Sequence, residues 1–289
     1  MREIVILSGK GGTGKTSVAA ALADIGTRNR RLVLADADVD AANLELVLSP
    51  VLQETHEFYG SQVATVDSRF CTACGRCQEV CRFEAVLQNG ERYRVDPLGC
   101  EGCGACYYVC PVEAIALSER LTGRWYRSQT DYGPLFHAHL LAGQENSGKL
   151  VTEVKRAARE LARHGGYDHL LVDGPPGLGC PVIAASAGAD AIVVVTEPTV
   201  AGVHDMERVL ATARHFRVPA MVVINKYDLN ADNARRIEEH CSSDGVPVIG
   251  RIPFDSVVTE AMVAGLPVTR YRDGAVGREL AAIWDGLVQ

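Results

Sequence analysis

The sequence has no long apolar run. Nowhere does it approach the ~18 consecutive apolar residues of a membrane span, and the stretch from Ile4 to Leu7 is too short for the core of a signal peptide. No membrane association and a cytoplasmic location are expected. Positive charge is also short: 29 Lys and Arg face 36 Asp and Glu, a net charge of −7. That is the wrong sign for gripping the phosphate backbone of nucleic acid, and an aromatic content of 6% offers few platforms for stacked bases. There is no low-complexity linker. With 47% apolar and 22% charged residues, a chain of 289 has the composition of an ordinary globular protein of one large or two modest domains. Cysteine is scarce outside one region, because eight of the ten lie between Cys71 and Cys110. In a chain without a secretion signal, such clustering points to metal rather than to disulfides.

Short β-branched runs at 3–8, 32–35, 169–172, 191–196, 220–224 and 247–251 alternate with helical stretches starting near Lys15, Leu150, Pro181, Val203, Ala231 and Ser256. This alternation predicts an α/β fold, a doubly wound and mostly parallel sheet whose strands are covered on both faces. The pattern breaks once, between about Phe58 and Arg124, where cysteines, glycines and short β pieces such as 93–95 take over. The expected organisation is a first part at 1–57, an inserted module at 58–124, and a second part of the same domain at 125–289.

Directly after the first strand comes Gly9-Lys10-Gly11-Gly12-Thr13-Gly14-Lys15-Thr16, which fits G-x-x-x-x-G-K-[ST] between a strand and an alanine-rich helix. Its glycines let backbone N–H groups close around phosphate oxygens at a helix N-terminus, where Lys15 reaches the β- and γ-phosphates and Thr16 ligates Mg²⁺. Gly9, Gly11 and Gly14 also satisfy G-x-G-x-x-G, and Asp36 ends the second strand where a ribose-binding acid would sit, so a dinucleotide site is a rival. Lys15, Thr16 and a second acidic strand end at Asp173 argue against that rival.

The segment from Lys10 to Ser17, KGGTGKTS, resembles the deviant phosphate loop of the MinD, ParA and Mrp family of dimeric ATPases. The resemblance implies that Lys10 reaches across a dimer interface to the partner's nucleotide. Asp36-Ala37-Asp38 and Asn43 match switch I, so Asp38 inherits the role of orienting the attacking water. Asp173-Gly174-Pro175-Pro176-Gly177 matches switch II, which sets Asp173 near the Mg²⁺, together with Thr16 and Asp36, and lets Gly177 sense the γ-phosphate. Gly174 departs from the usual Ser or Thr. Asn225-Lys226 and the Pro253 segment resemble the adenine-edge elements. A basic C-terminal membrane helix, as in the MinD branch, is not expected: Val276, Leu280, Ile283, Trp284 and Leu287 share a face better suited to packing on the sheet. The stripe Arg156, Arg159 and Arg163 reads as a solvated helix face.

Cys71-x-x-Cys74-x-x-Cys77-x-x-x-Cys81 is followed by Cys100-x-x-Cys103-x-x-Cys106-x-x-x-Cys110-Pro111. In such runs three cysteines cap one cubane and the fourth reaches the other, which assigns Cys71, Cys74, Cys77 and Cys110 to one [4Fe–4S] cluster, and Cys81, Cys100, Cys103 and Cys106 to the second. The run resembles a bacterial two-cluster ferredoxin, with Arg82 standing where the first repeat would have proline. Zinc is the alternative, although its paired C-x-x-C sites have no use for the third cysteine. A MinD-type ATPase carrying an inserted ferredoxin domain is itself a recognised family, which this chain resembles.

Cys180 lies seven residues after Asp173, the offset of a cluster-ligating cysteine in the nitrogenase iron protein, a distant relative of these ATPases. That relative supplies a second cysteine from an earlier loop, whereas the stretch 144–149 here contains none. Cys180 therefore reads either as a further thiol or metal ligand or as a small buried thiol at a helix start. Cys241 and the pair His137-x-His139 read as structural. The expected function is an ATP-binding and hydrolysing dimeric switch coupled to electron transfer through two [4Fe–4S] clusters, working with a redox or metallocluster-protein partner as a homodimer or beside a related ATPase. An iron–sulfur or metal cluster carrier is the alternative, and a redox-sensing positioning ATPase a third.

Overall fold

The computed structural model describes residues 1–144 and 146–288. Its strands are β1 (Arg2–Ser8), β2 (Leu32–Asp36), β3 (Val51–Val66), β4 (Val86–Asn89), β5 (Arg92–Val95), β6 (Ile115–Thr130), β7 (Gly133–Leu140), β8 (His169–Pro176), β9 (Ala191–Thr196), β10 (Ala220–Asn225) and β11 (Val248–Ile252). The helices are α1 (Lys15–Gly26), α2 (Leu44–Leu48), α3 (Arg76–Glu79), α4 (Ala105–Val109), α5 (Ser147–His164), α6 (Cys180–Ser186), α7 (Val200–His215), α8 (Ala231–Ser243), α9 (Val257–Val263), α10 (Val268–Tyr271) and α11 (Ala275–Val288). Contacts divide the chain into a first unit, Met1–His56 with Trp125–His139 and Ser147–Gln289, and a second, Glu57–Arg124 with Leu140–Asn146.

The main sheet runs β11-β10-β9-β1-β8-β2-β7-β6-β3. From β11 through β7 every pairing is parallel. The fold is thus α/β with a mostly parallel sheet, and the central strands β2 and β9 are buried at every position. Helix α1 is rich in alanine, and Ala19 to Ala23 are almost wholly buried. Side chains that small let α1 lie close to the strands whose ends carry the phosphate loop. Val276, Leu280, Ile283, Trp284 and Leu287 of α11 all enter the same core, so that face is covered by the protein itself. Among the described residues, no helix is long and apolar enough to cross a membrane.

Three strands of the main sheet, β3, β6 and β7, escape the periodicity argument. β3 is exposed along its first five residues and has no apolar run to announce it. β7 is buried at its centre, but Pro134, His137 and His139 interrupt its hydrophobic pattern. It joins β6 through only two residues, a connection that fits antiparallel neighbours. Helices α5 and α7 each begin three residues earlier than expected.

The reading of Arg159 as a solvated residue is corrected. Its Nε and Nη2 donate to Glu3 at 2.7 and 3.0 Å, and Glu3 is 1% exposed. Lys155, also buried, approaches the same carboxylate at 2.8 Å and donates to the carbonyl of Ala187 at 3.0 Å, at the end of α6. Two cations on one face of α5 thus neutralise an acid at the start of β1. Removing one member of a buried ion group leaves the rest uncompensated, at a cost of about 3–5 kcal/mol. Glu3→Ala is expected to lower the unfolding free energy obtained from urea titration by that margin, and a value within error of the wild type would refute this account of the α5–β1 junction.

In the second unit, β4 and β5 pair antiparallel, and the two cysteine runs fold alike. Gly75 and Gly104, each just ahead of a short helix, have φ of 79° and 77°. Glu84 and Glu113, each three residues past the last cysteine of a run, have φ of 52° and 51°. The turn after Cys81 therefore has the same handedness as that after Cys110, and Arg82 in place of proline does not alter it.

Candidate nucleotide site and cysteine recesses

The phosphate loop joins β1 to α1. Gly14 stands at the N-cap of α1 with φ of 90°, and a Cβ there would lie 2.2 Å from Asn225 Nδ2. Only glycine suits both the left-handed backbone and that approach. Asn225 in turn donates from Nδ2 to the carbonyl of Thr13 at 2.7 Å, and Lys226 Nζ donates to that of Gly12 at 3.2 Å. The predicted adenine-edge pair thus braces the loop from behind. Pro253 is half-buried beyond β11, and the next residue, Phe254, donates its N–H to Asp228 Oδ1 at 2.7 Å.

Lys15 is buried, and its Nζ donates to Asp173 Oδ1 at 2.7 Å. Burial alone would lower this ammonium, but Asp173, with Asp36 and Asp38 beyond it, holds it above its ordinary value. Asp36 is fully buried; burial and the neighbouring Asp173 carboxylate push it up to about 7. Its Oδ2 accepts the N–H groups of Asn43 and Leu44 at 3.1 and 2.9 Å, and its Oδ1 accepts that of Asp38 at 3.0 Å. One carboxylate thus organises the segment from Asp38 to α2. Asn43 turns its own side chain to the carbonyl of Ala41. Asp38 is half-buried, and burial raises its carboxyl. The second oxygen of Asp173 and the hydroxyl of Thr13 are buried without a hydrogen-bond partner among the described residues. Two crowded carboxylates with an orphaned oxygen are what a divalent cation would relieve, so the donor set fits Mg²⁺.

Gly174 has a physical reason. A Cβ there would lie 2.5 Å from Leu7 Cδ2 and 2.8 Å from the carbonyl of Ile6, so β8 passes β1 too closely for the Ser or Thr of related loops. Gly177 follows with φ of 88°, its N–H donating to the carbonyl of Ser8 at 2.9 Å.

Sequence reasoning missed Glu197. Its carboxylate meets Lys10 Nζ at 2.5 Å and Lys226 Nζ at 3.1 Å. Burial alone would raise it, but hydrogen bonds from the two lysines outweigh that and hold it below its ordinary value. Thr16 and Ser17 lie half-buried on the first turn of α1.

A match to the model of the CobQ/CobB/MinD/ParA nucleotide-binding domain covers residues 4–268. The chain belongs to that family. Among CobQ/CobB/MinD/ParA relatives, an uncharacterized protein of Methanocaldococcus jannaschii is 35% identical over 231 residues, 80% of either chain. An iron–sulfur cluster carrier protein of Pyrococcus horikoshii is 25% identical over 155 residues, 49% of this chain and 52% of its own. The structure of the septum site-determining protein MinD of Pyrococcus horikoshii with Mg-ADP superposes at a TM-score of 0.59 and 20% identity, covering 99% of this chain and 95% of that one. That likeness is one of fold.

The cysteine unit of this family member holds two recesses. Cys71, Cys74, Cys77 and Cys110 line one, together with Val66, Tyr93 and Ile115. Cys81, Cys100, Cys103 and Cys106 line the other, with Ala64, Val86 and Val95. The last cysteine of each run therefore sits with the first three of the other. All eight are free thiols. Four thiolates on one tetrahedral zinc, at about 2.3 Å each, would stand about 3.8 Å apart, yet among the described residues no three cysteine sulfurs lie within 4.8 Å of one another. The wider spacing suits a multinuclear group. Burial pushes the Cys77 and Cys106 thiols up, so a cationic core is what would ionise them. The N–H of Ala114 already donates to Cys110 Sγ at 3.2 Å.

Cys180 is exposed at the start of α6, which overturns the buried-thiol alternative. The stretch 144–149 considered for a second cysteine includes Glu145, which lies outside the described residues. Cys241 is buried beside Met206, 3.9 Å between the sulfurs, and burial pushes it up to about 11, which fits a structural role.

Proposed function

We propose that the chain is an ATP-binding and hydrolysing dimeric switch coupled to electron transfer through two [4Fe–4S] clusters, serving a redox partner or metallocluster assembly. The observation that carries this reading is the pair of four-thiol recesses in a chain whose other unit has a complete phosphate loop. Residues 58–124 form the inserted ferredoxin module, with Cys71, Cys74, Cys77 and Cys110 holding one cluster and Cys81, Cys100, Cys103 and Cys106 the other. When bound, the clusters supply one-electron carriage. In the first unit, the backbone from Gly9 to Ser17 encloses the phosphates. Lys15 exchanges its carboxylate partner Asp173 for phosphate oxygens, and Thr16, Asp36 and the freed Asp173 would hold the Mg²⁺, which would neutralise phosphate charge. Asp38 orients the attacking water, Lys10 leaves Glu197 to reach the partner protomer's nucleotide, and Asn225, Lys226 and Pro253 frame the base.

Coupling rests on chain continuity. The segment that Asp36 organises runs through α2 into β3 and on to Cys71, so a γ-phosphate that shifts Asp38 and Asn43 acts on the strand leading to the module. The test compares cluster reduction potentials, without oxygen, in the ADP-bound form and an ATP-trapped form. Different potentials are expected; identical ones would mean that hydrolysis and electron carriage are independent.

The similarity to an iron–sulfur cluster carrier protein favours a second reading, in which the clusters are cargo. Incubation with an apo-ferredoxin separates the two, because cargo clusters transfer and electron-carrying clusters stay bound through redox cycles.

A further inference from the structure

Outside both sites, Glu45 of α2 faces His137 and His139 of β7. Glu45 Oε2 is 2.8 Å from His137 Nδ1, and Oε1 is 3.2 Å from His139 Nε2. One ligand atom from each residue lies within 4.8 Å of the other two, the only such trio of His, Cys, Asp or Glu among the described residues. His137 is 5% exposed. Although Glu45 is so close, Nδ1 is not aligned for a hydrogen bond and is buried without a hydrogen-bond partner among the described residues. On its far side, Nε2 lies 3.0 Å from Ser128 Oγ. With Nε2–H donating to that hydroxyl, Nδ1 keeps its lone pair, and the nearest carboxylate oxygen, Glu45 Oε2, stands 2.8 Å from it. A ring fixed by a hydrogen bond from its other nitrogen is the usual setting of a metal-ligating histidine.

We propose that Glu45, His137 and His139 form a binding site for one exchangeable divalent transition-metal ion of the zinc, nickel or cobalt class. Two imidazoles and a carboxylate suit these borderline ions better than Ca²⁺ or Mg²⁺, which take oxygen, or Cu(I), which takes sulfur. One negative charge and two neutral rings match a divalent cation. Three protein ligands leave a coordination position for water, and His139, its side chain 45% exposed, opens the site to solvent. Such a site loads and releases its ion, unlike a closed four-ligand structural centre. The ion would tie α2 to β7 two residues past Asn43. The spacing of His137 and His139 on β7 shows in the sequence; Glu45, far back in the chain, does not.

The test is equilibrium dialysis of the full chain, isolated without oxygen, against Ni²⁺, with His139→Ala, Glu45→Gln and Ser128→Ala treated alike so that thiol binding cancels between samples. Wild type is expected to take up about one Ni²⁺ per chain more than His139→Ala, whose exposed side chain is not part of the core. Affinity should fall at least about tenfold in Glu45→Gln and by about 10- to 100-fold in Ser128→Ala. The nickel-edge absorption spectrum should show imidazole scattering. Equal uptake by wild type and His139→Ala, or a spectrum without imidazole, would overturn the assignment and leave the trio as an ion pair.

Discussion

Asp38→Ala is expected to bind ATP as the wild type does, to accumulate as a dimer, and to hydrolyse ATP about 10²- to 10⁴-fold more slowly. The three hydrogen bonds that Asp36 makes to this segment go to backbone N–H groups, which alanine keeps. The phosphate loop and its brace by Asn225 and Lys226 are likewise untouched. What is lost is a carboxylate, half-buried and raised by that burial, placed to act on water. Lys10→Ala should instead lose the ATP-dependent dimer together with turnover, since its part in the proposed mechanism lies across the interface. Hydrolysis assays, titration with a fluorescent nucleotide and sedimentation in ATP and Mg²⁺ read the three quantities separately. Asp38→Ala turning over within threefold of wild type would remove Asp38 from the chemical step. Equal loss of nucleotide binding in both variants would remove the distinction between them.

The second large effect concerns iron. Protein purified without oxygen should carry about eight irons and eight sulfides per chain. The crossed lining of the recesses makes a specific forecast for paired substitutions. Cys77 and Cys110 share one recess, so Cys77→Ser with Cys110→Ser should still retain about four irons. Cys77 and Cys81 belong to one run but to different recesses, so replacing both should remove nearly all of it. If each run held its own cluster, the two results would be reversed. Zinc in place of iron after anaerobic reconstitution would end the cluster reading altogether.

What could be read from the sequence was what lies close together along it. The phosphate loop is eight consecutive residues, and its glycines announce a backbone that must bend around something. The cysteine runs state their chemistry by spacing, and six of the seven parallel strands by nearly continuous apolar runs. The rest depends on distant partners. Nothing near Glu197 in the sequence points to Lys10 and Lys226, and the paired cations on α5 could not be seen to serve Glu3. β3 and β7 were hidden because exposed or polar residues break their patterns. Gly174 looked like a lost hydroxyl, whereas its neighbour β1 leaves no room for a side chain.

The two lysines on Glu197 also bear on how a second protomer would be received. Lys10 does not wait as a bare ammonium in water; it already has an anionic partner inside its own chain, and only about a third of its side chain is exposed. Handing it to phosphate would be a counter-ion swap, with little fresh dehydration at the lysine. Lys226 would remain to neutralise the carboxylate left behind. The contact that keeps the resting chain from presenting its positive charge also keeps the cost of presenting it low.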